Sequence, residues 1–171
     1  MPGEEVERLI AVADASFLIG LSRIGQWKLL EAMAERVYVP LAVWDEVAVQ
    51  GRGRPGAREL ESGRVVHKRA VSNRRAASAL KATLGAGEAE AIVLAQEVPG
   101  ATVLLDDPGG RKAAAGAGLQ PVGLVGFLAA AKKAGLVPEI RPLLAALQAQ
   151  GFRLGQTLVD AALRQAGEIP C

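Results

Sequence analysis

The sequence contains one cysteine, Cys171, and one histidine, His67, in 171 residues. A single thiol excludes a disulfide framework or a cysteine zinc site within one chain, and leaves thiol catalysis without a partner. His67 lies in the basic run Arg64-Val65-Val66-His67-Lys68-Arg69, far from any Ser-Gly nucleophile motif, so its expected role is surface or structural. Aromatic residues make up only 4% of the chain, and no platform for stacking nucleobases is visible. No apolar run reaches the ~18 residues needed to span a bilayer. The acidic start, Met1 to Glu7, does not resemble a secretory signal. The expectation is a soluble cytoplasmic protein without a membrane association.

Half the residues are hydrophobic and 22% are charged, which argues for a packed globular chain with a core of Ala, Leu and Val. The length fits one domain, taken as residues 1–171. The net charge of +2 conceals an asymmetry. Residues 51–75 contain eight Lys or Arg, among them Arg52 and Arg54, against two Glu; this segment carries +6 and the remainder −4. A basic region beside an acidic body suits an enzyme acting on a polyanion, although a solvated arginine-rich connection has the same composition.

The organising stretch is Leu9 to Ile19. Five apolar residues, Leu9 to Ala13, run into Asp14, and a second apolar segment follows at once. Such a run reads as a strand buried on both faces of a parallel sheet, with Asp14 at its carboxyl end. Ser16 is the expected cap of the next helix. Helical pieces are expected at 17–24 and 27–34, strands at 36–39 and 64–67, and helices at 41–49, 57–61, 74–84 and 88–97. Further strands are expected at 101–105 and 119–122 around a helix at 111–117, and three helices fill 124–168. The alternation through residue 122 predicts a doubly wound α/β fold (about 9–122) with a C-terminal helical appendage (about 123–168) packed on the same core.

Acidic residues interrupt these elements at their ends. Asp14 closes the first strand, Glu46 lies on the helix after the second, Glu88 and Glu90 open the helix before the fourth, and Asp106 and Asp107 close that strand. Taken singly, each has an ordinary explanation as a cap, a helix-dipole partner or a turn. If strands one and four are neighbours, the acids share one sheet edge. Two unit charges ~4 Å apart repel by ~4 kcal/mol near a protein surface. A converging set therefore needs protons, an arginine or a divalent cation, and oxygen-only ligands favour Mg²⁺ or Mn²⁺. Gly85-Ala86-Gly87-Glu88-Ala89-Glu90 is a poor dinucleotide fingerprint: Glu90 replaces the third glycine, and no strand precedes it.

Four pieces carry a resemblance: Val12 to Ser16, Val39 to Val47, Leu84 to Ile92, and Val103 to Asp107. In order and spacing the chain resembles the PIN-domain nucleases, in particular a subgroup with a Gly-Glu-Ala-Glu-Ala motif, an Asp-Asp followed by an Arg (here Arg111), and a segment like Gly123 to Leu128. The resemblance implies a three-layer α/β/α fold with a central, mainly parallel sheet of about five strands. It also implies a Mg²⁺- or Mn²⁺-dependent endoribonuclease with metal ligands at Asp14, Glu46, Glu88 or Glu90, and Asp106 or Asp107. Glu88 and Asp107 are the preferred member of each pair, and Ser16 supports the site. Arg111, Lys112, Arg52 and Arg54 are the expected RNA contacts. Relatives include toxins of toxin–antitoxin pairs and often dimerise, so an antitoxin protein and a homodimer are expected partners. The competing reading is a catalytically inactive PIN-like module that binds RNA or protein. A phosphatase of the haloacid dehalogenase type fits less well, because Ser16 stands where it needs a second Asp.

Overall fold

The computed structural model describes residues 7–170; Cys171 and residues 1–6 of the acidic start lie outside them. The elements run β1 (Leu9–Ala13), α1 (Ala15–Arg23), α2 (Trp27–Met33), β2 (Ala34–Pro40) and α3 (Leu41–Trp44), the last passing directly into a π-helical turn (Asp45–Gln50). They continue as α4 (Ala57–Ser62), β3 (Val66–Arg69), α5 (Arg74–Leu80), α6 (Ala86–Glu97), β4 (Thr102–Leu104), α7 (Pro108–Gly116) and β5 (Pro121–Val122). Three helices follow, α8 (Leu124–Lys133), α9 (Arg141–Ala149) and α10 (Gln156–Gln165).

The five strands pair in the order β3-β2-β1-β4-β5, all parallel, and helices lie on both sides of the sheet in a three-layer α/β/α arrangement. Alternation along each strand sorts its side chains between two cores. Ala11, Ala13, Val37, Val39 and Leu104 face the larger core with Phe17, Leu21, Leu124 and Phe127. Val12, Val103 and Leu105 face the smaller one with Ile92 and Leu94 of α6 and Ala114 of α7. Leu128, Leu144, Leu147 and Leu163 bring α8, α9 and α10 into the larger core, so the segment after residue 123 packs on the same sheet as the rest.

Three local expectations change. Asp14, not Ser16, caps α1: its Oδ1 accepts the Phe17 amide hydrogen at 2.9 Å, and the helix starts at Ala15. The third strand occupies 66–69 rather than 64–67. Its last three residues are exposed and polar, and backbone pairing with β2 holds them, so the apolar pair Val65-Val66 marks only the strand's beginning. The helix expected at 41–49 widens after Trp44 to π winding, in which residues five apart become neighbours. Gln50 Nε2 accordingly donates to Asp45 Oδ2 at 2.6 Å.

Glu168 ties the end of the chain to the core. It accepts hydrogen bonds from the amides of Ile140 (2.8 Å) and Arg141 (3.1 Å) and lies 3.1 Å from Lys132 Nζ. Burial raises its pKa, but these three donors outweigh that and hold the carboxyl below its ordinary value. Glu168→Ala strands the donors and is expected to cost about 1–3 kcal/mol, read as a lower denaturation midpoint at unchanged m-value. A change below ~0.5 kcal/mol, the usual range of a surface substitution, would show that the tether holds nothing.

Candidate functional site

After β1 the chain moves to β2 on one side and later crosses to β4 on the other, so the strand order reverses between β1 and β4. Ligands of open α/β sheets bind outside the carboxyl ends of the strands at such a reversal. β1 ends there in Asp14, whose amide donates to Leu104 O at 3.0 Å, and β4 is followed by Asp106 and Asp107. The expected adjacency of strands one and four is thus observed.

Asp14 is 1% exposed. One of its oxygens caps α1, whereas Oδ2 is buried without a hydrogen-bond partner among the described residues. Burial pushes its carboxyl from an ordinary 3.8 up to about 7. The Phe17 amide works against that shift, while Glu88, Asp106 and Asp107 add to it through their charges. Glu46 is raised as well, first by desolvation and then by Glu88. Asp14, Glu46, Glu88, Asp106 and Asp107 therefore share one electrostatic neighbourhood.

Backbone geometry sets each of these carboxylates. Asp107 caps α7 through Oδ2, which accepts the Gly110 amide hydrogen at 2.8 Å. Asp106 Oδ1 accepts the amide hydrogen of Leu124, the first residue of α8, at 3.1 Å. Glu88 lies in the first turn of α6 and Glu46 in the π-helical turn. Glycines leave the acids their space. A Cβ on Gly85 would collide with Glu88 Oε2, one on Gly87 would lie 3.5 Å from Glu46 Oε2, and one on Gly110 would lie 3.3 Å from Glu88 Cγ and 3.6 Å from Asp107 Oδ2. Gly85 thus leaves space for the Glu88 carboxylate, whereas the tightest neighbour of a Cβ at Gly87 would be Val43.

Glu90 is not brought to this group. Two positions beyond Glu88 on α6, it is buried; Oε1 accepts the Ala42 amide hydrogen at 3.3 Å, and Oε2 lies 3.6 Å from Lys81 Nζ. Ser16 sits half-buried in the first turn of α1. Arg111 borders a groove of ≈ 270 Å³ with Asp106, and Arg54 borders one of ≈ 460 Å³ with Glu46. Arg52 lies with Arg54 in a third groove, and Lys112 is exposed on α7. Sequence reasoning missed Arg153 and Arg23, which line the first two grooves; each stands outside the acidic motifs, so no local pattern marks it.

Among the described residues, no three or more Asp, Glu, His or Cys side chains form a group closed tightly enough to hold a metal ion. The donors nevertheless suit a hard divalent cation. All are carboxylate oxygens, one is buried and unpartnered, and its neighbours are anionic.

The raised pKa of Asp14 has a definite sign. Between pH ~4 and ~7 the folded state binds a proton that the unfolded state has released, so stability falls as pH rises through that window. The shift to about 7 corresponds to a loss on the order of 4 kcal/mol. In EDTA the wild-type Tm should drop between pH 4 and 8 by about 10 °C more than that of Asp14→Asn. Parallel melting profiles for the two proteins would show that Asp14 does not carry this proton.

Comparison with known proteins bears on the same elements. No curated protein and no solved structure gives a significant match to the chain. A family model, DUF3368, described as a PIN domain, matches residues 10–168 and so spans β1 through the end of the last helix. PIN domains have a nuclease-type fold, and they typically use divalent metals. The chain, with its acid-rimmed parallel sheet, belongs to the PIN-domain family.

Proposed function

We propose that this chain is a divalent-metal-dependent endoribonuclease that hydrolyses RNA phosphodiester bonds with Mg²⁺ or Mn²⁺ at the rim between β1 and β4. The observation that carries the reading is Asp14: a nearly inaccessible carboxyl with one free oxygen, raised to about 7 among three further acids. A buried carboxylate of this kind is costly unless something positive meets it. Asp14, Glu88 and Asp107 would hold the ion with Glu46 at the open side, and Asp106 is positioned by α8. Glu46 is exposed and Glu88 half-buried, so closing the group around an ion would call on rotamer changes of these two side chains. A bound divalent cation would supply charge stabilisation and lower the pKa of an attacking water.

The residues themselves account for the remaining chemistry. The cap hydrogen bond from Phe17 holds the Asp14 carboxylate by one oxygen and leaves the second without a hydrogen-bond partner. Glu46, whose pKa is raised by desolvation and by Glu88, would be a stronger base than an ordinary carboxylate toward the attacking water. Arg111 and Lys112 at one side, with Arg54 and Arg52 at the other, would contact the phosphate backbone. Glu90 serves the fold by holding the start of α3 and Lys81. A toxin role opposite an antitoxin protein and a homodimeric state belong to the same proposal.

Purified protein should cleave a mixed RNA pool when Mn²⁺ or Mg²⁺ is added, and EDTA should stop it. Asp14→Asn and Glu88→Gln should each lower the rate by about 10³-fold, the several kcal/mol expected of a lost charge-stabilising group. Unchanged cleavage by pure Asp14→Asn would reject the assignment. Retention of RNA without turnover at any Mn²⁺ concentration would favour the inactive binding module.

In contrast, Glu90→Gln should keep cleavage within a few-fold of wild type. A loss as deep as that of Glu88→Gln would return Glu90 to the metal site.

A further inference from the structure

Parallel sheets are normally covered on both faces, and this one is left partly open. On the side of the smaller core, α6 and α7 pack over Val12, Val103 and Leu105 of β1 and β4. The same face of β2 and β3 presents Arg36, Tyr38, His67 and Arg69. Register puts them together: Tyr38 pairs with His67 and Pro40 with Arg69, while Arg36 lies two residues before Tyr38 on the same face. Arg36, His67 and Arg69 are exposed and Tyr38 is half-buried.

Contacts join these side chains into one surface. The Tyr38 and His67 rings lie 5.9 Å apart at 45°, and Arg69 Cζ is 5.0 Å from the Tyr38 ring centre. Arg36 Nη1 donates to the Tyr38 hydroxyl at 3.4 Å. Thus the only tyrosine and the only histidine of the chain stand side by side between two arginines. Arg69 is at the carboxyl end of β3, on the rim that also holds Asp14, and two strand spacings, about 10 Å, separate β3 from β1.

We propose that this open half of the sheet is a binding platform for single-stranded RNA, with bases stacking on Tyr38 and His67 and phosphates meeting Arg36 and Arg69. Flat rings supply sequence-tolerant stacking and guanidinium groups supply backbone charge, the combination that single-stranded nucleic acids require. The positive charge selects a polyanion over an uncharged partner, and β3 belongs to the segment that carries +6. The proposal rests on the ribonuclease reading for the choice of RNA, but it is tested through binding alone.

The test uses wild-type protein and variants in EDTA, where cleavage is suppressed, with a fluorescently labelled single-stranded oligoribonucleotide read by anisotropy at several salt concentrations. Tyr38→Ala and His67→Ala should each raise Kd about ten-fold, whereas Tyr38→Phe should stay near wild type. Arg36→Ala and Arg69→Ala should each reduce the slope of log K against log salt by about 0.7. Because Tyr38→Ala removes a half-buried ring, the surface variants His67→Ala and Arg69→Ala, checked by thermal melting, carry the decision. Unchanged Kd and salt slope in those two folded variants would overturn the platform. RNA affinity that stays constant while their sedimentation changes would also overturn it, and would assign the face to contacts between protein copies. Failure of metal-dependent cleavage with these binding effects intact would reject the nuclease reading and leave the platform standing.

Discussion

Asp14 has to satisfy two demands with two oxygens. One accepts the amide hydrogen that starts α1, and the other remains buried and unpartnered beside Glu88, Asp106 and Asp107. The fold offers some compensation, since α1, α6, α7 and α8 all begin next to these acids. A helix N-terminus is worth roughly 0.3–1 kcal/mol to a nearby anion. A pair of carboxylates ~4 Å apart loses ~4 kcal/mol at the effective dielectric near a protein surface. Helix ends can therefore orient the carboxylates, but they cannot neutralise the set. The shift of Asp14 to about 7 comes first from its burial, and the charges of Glu88, Asp106 and Asp107 add to it: without a cation, the fold lowers its electrostatic energy by keeping a proton.

Caps also explain why the acids are precise in direction. Asp14, Asp106 and Asp107 each accept a backbone amide hydrogen from the first turn of a following helix, so helix packing fixes where each carboxylate lies. A carboxylate that served only as a cap could sit in water at little cost. Asp14 does not, because its strand is central and buried on both faces. The capping role and the site role are in this way one arrangement. The same bond that starts the helix pins one oxygen and leaves the other buried without a hydrogen-bond partner.

Much of this was legible in the residues. The run Leu9–Ala13 ending in Asp14, the later run ending in Asp106-Asp107, and the helix opening at Glu88 together pointed to one rim, and strand adjacency brings them there. Glu90 was less legible, because two residues along a helix is about 200° of turn, and only its contacts with Ala42 and Lys81 separate it from Glu88. The boundaries of β3 were blurred for a different reason. An edge strand with exposed polar residues carries no alternating apolar signal, and its position is set by its partner's backbone. The pairing of Tyr38 with His67 was invisible, since the residues are nearly thirty positions apart and a count of aromatics says nothing of register.

Charge separation in this molecule is a matter of strand position. Acids occupy the reversal point between β1 and β4, and arginines occupy the open face of β2 and β3, with Arg69 two strands from β1. At physiological ionic strength the screening length is ≈ 8 Å, so over about 10 Å the two fields are only partly coupled. A polyanion can then be held on the basic strands while an unneutralised rim still repels its phosphates. Adding positive charge at the rim removes that local barrier without altering the distant attraction. On the proposed reading, substrate capture and cation binding would be separable events on one continuous sheet, and the parallel register of β1, β2 and β3 would set the distance between them.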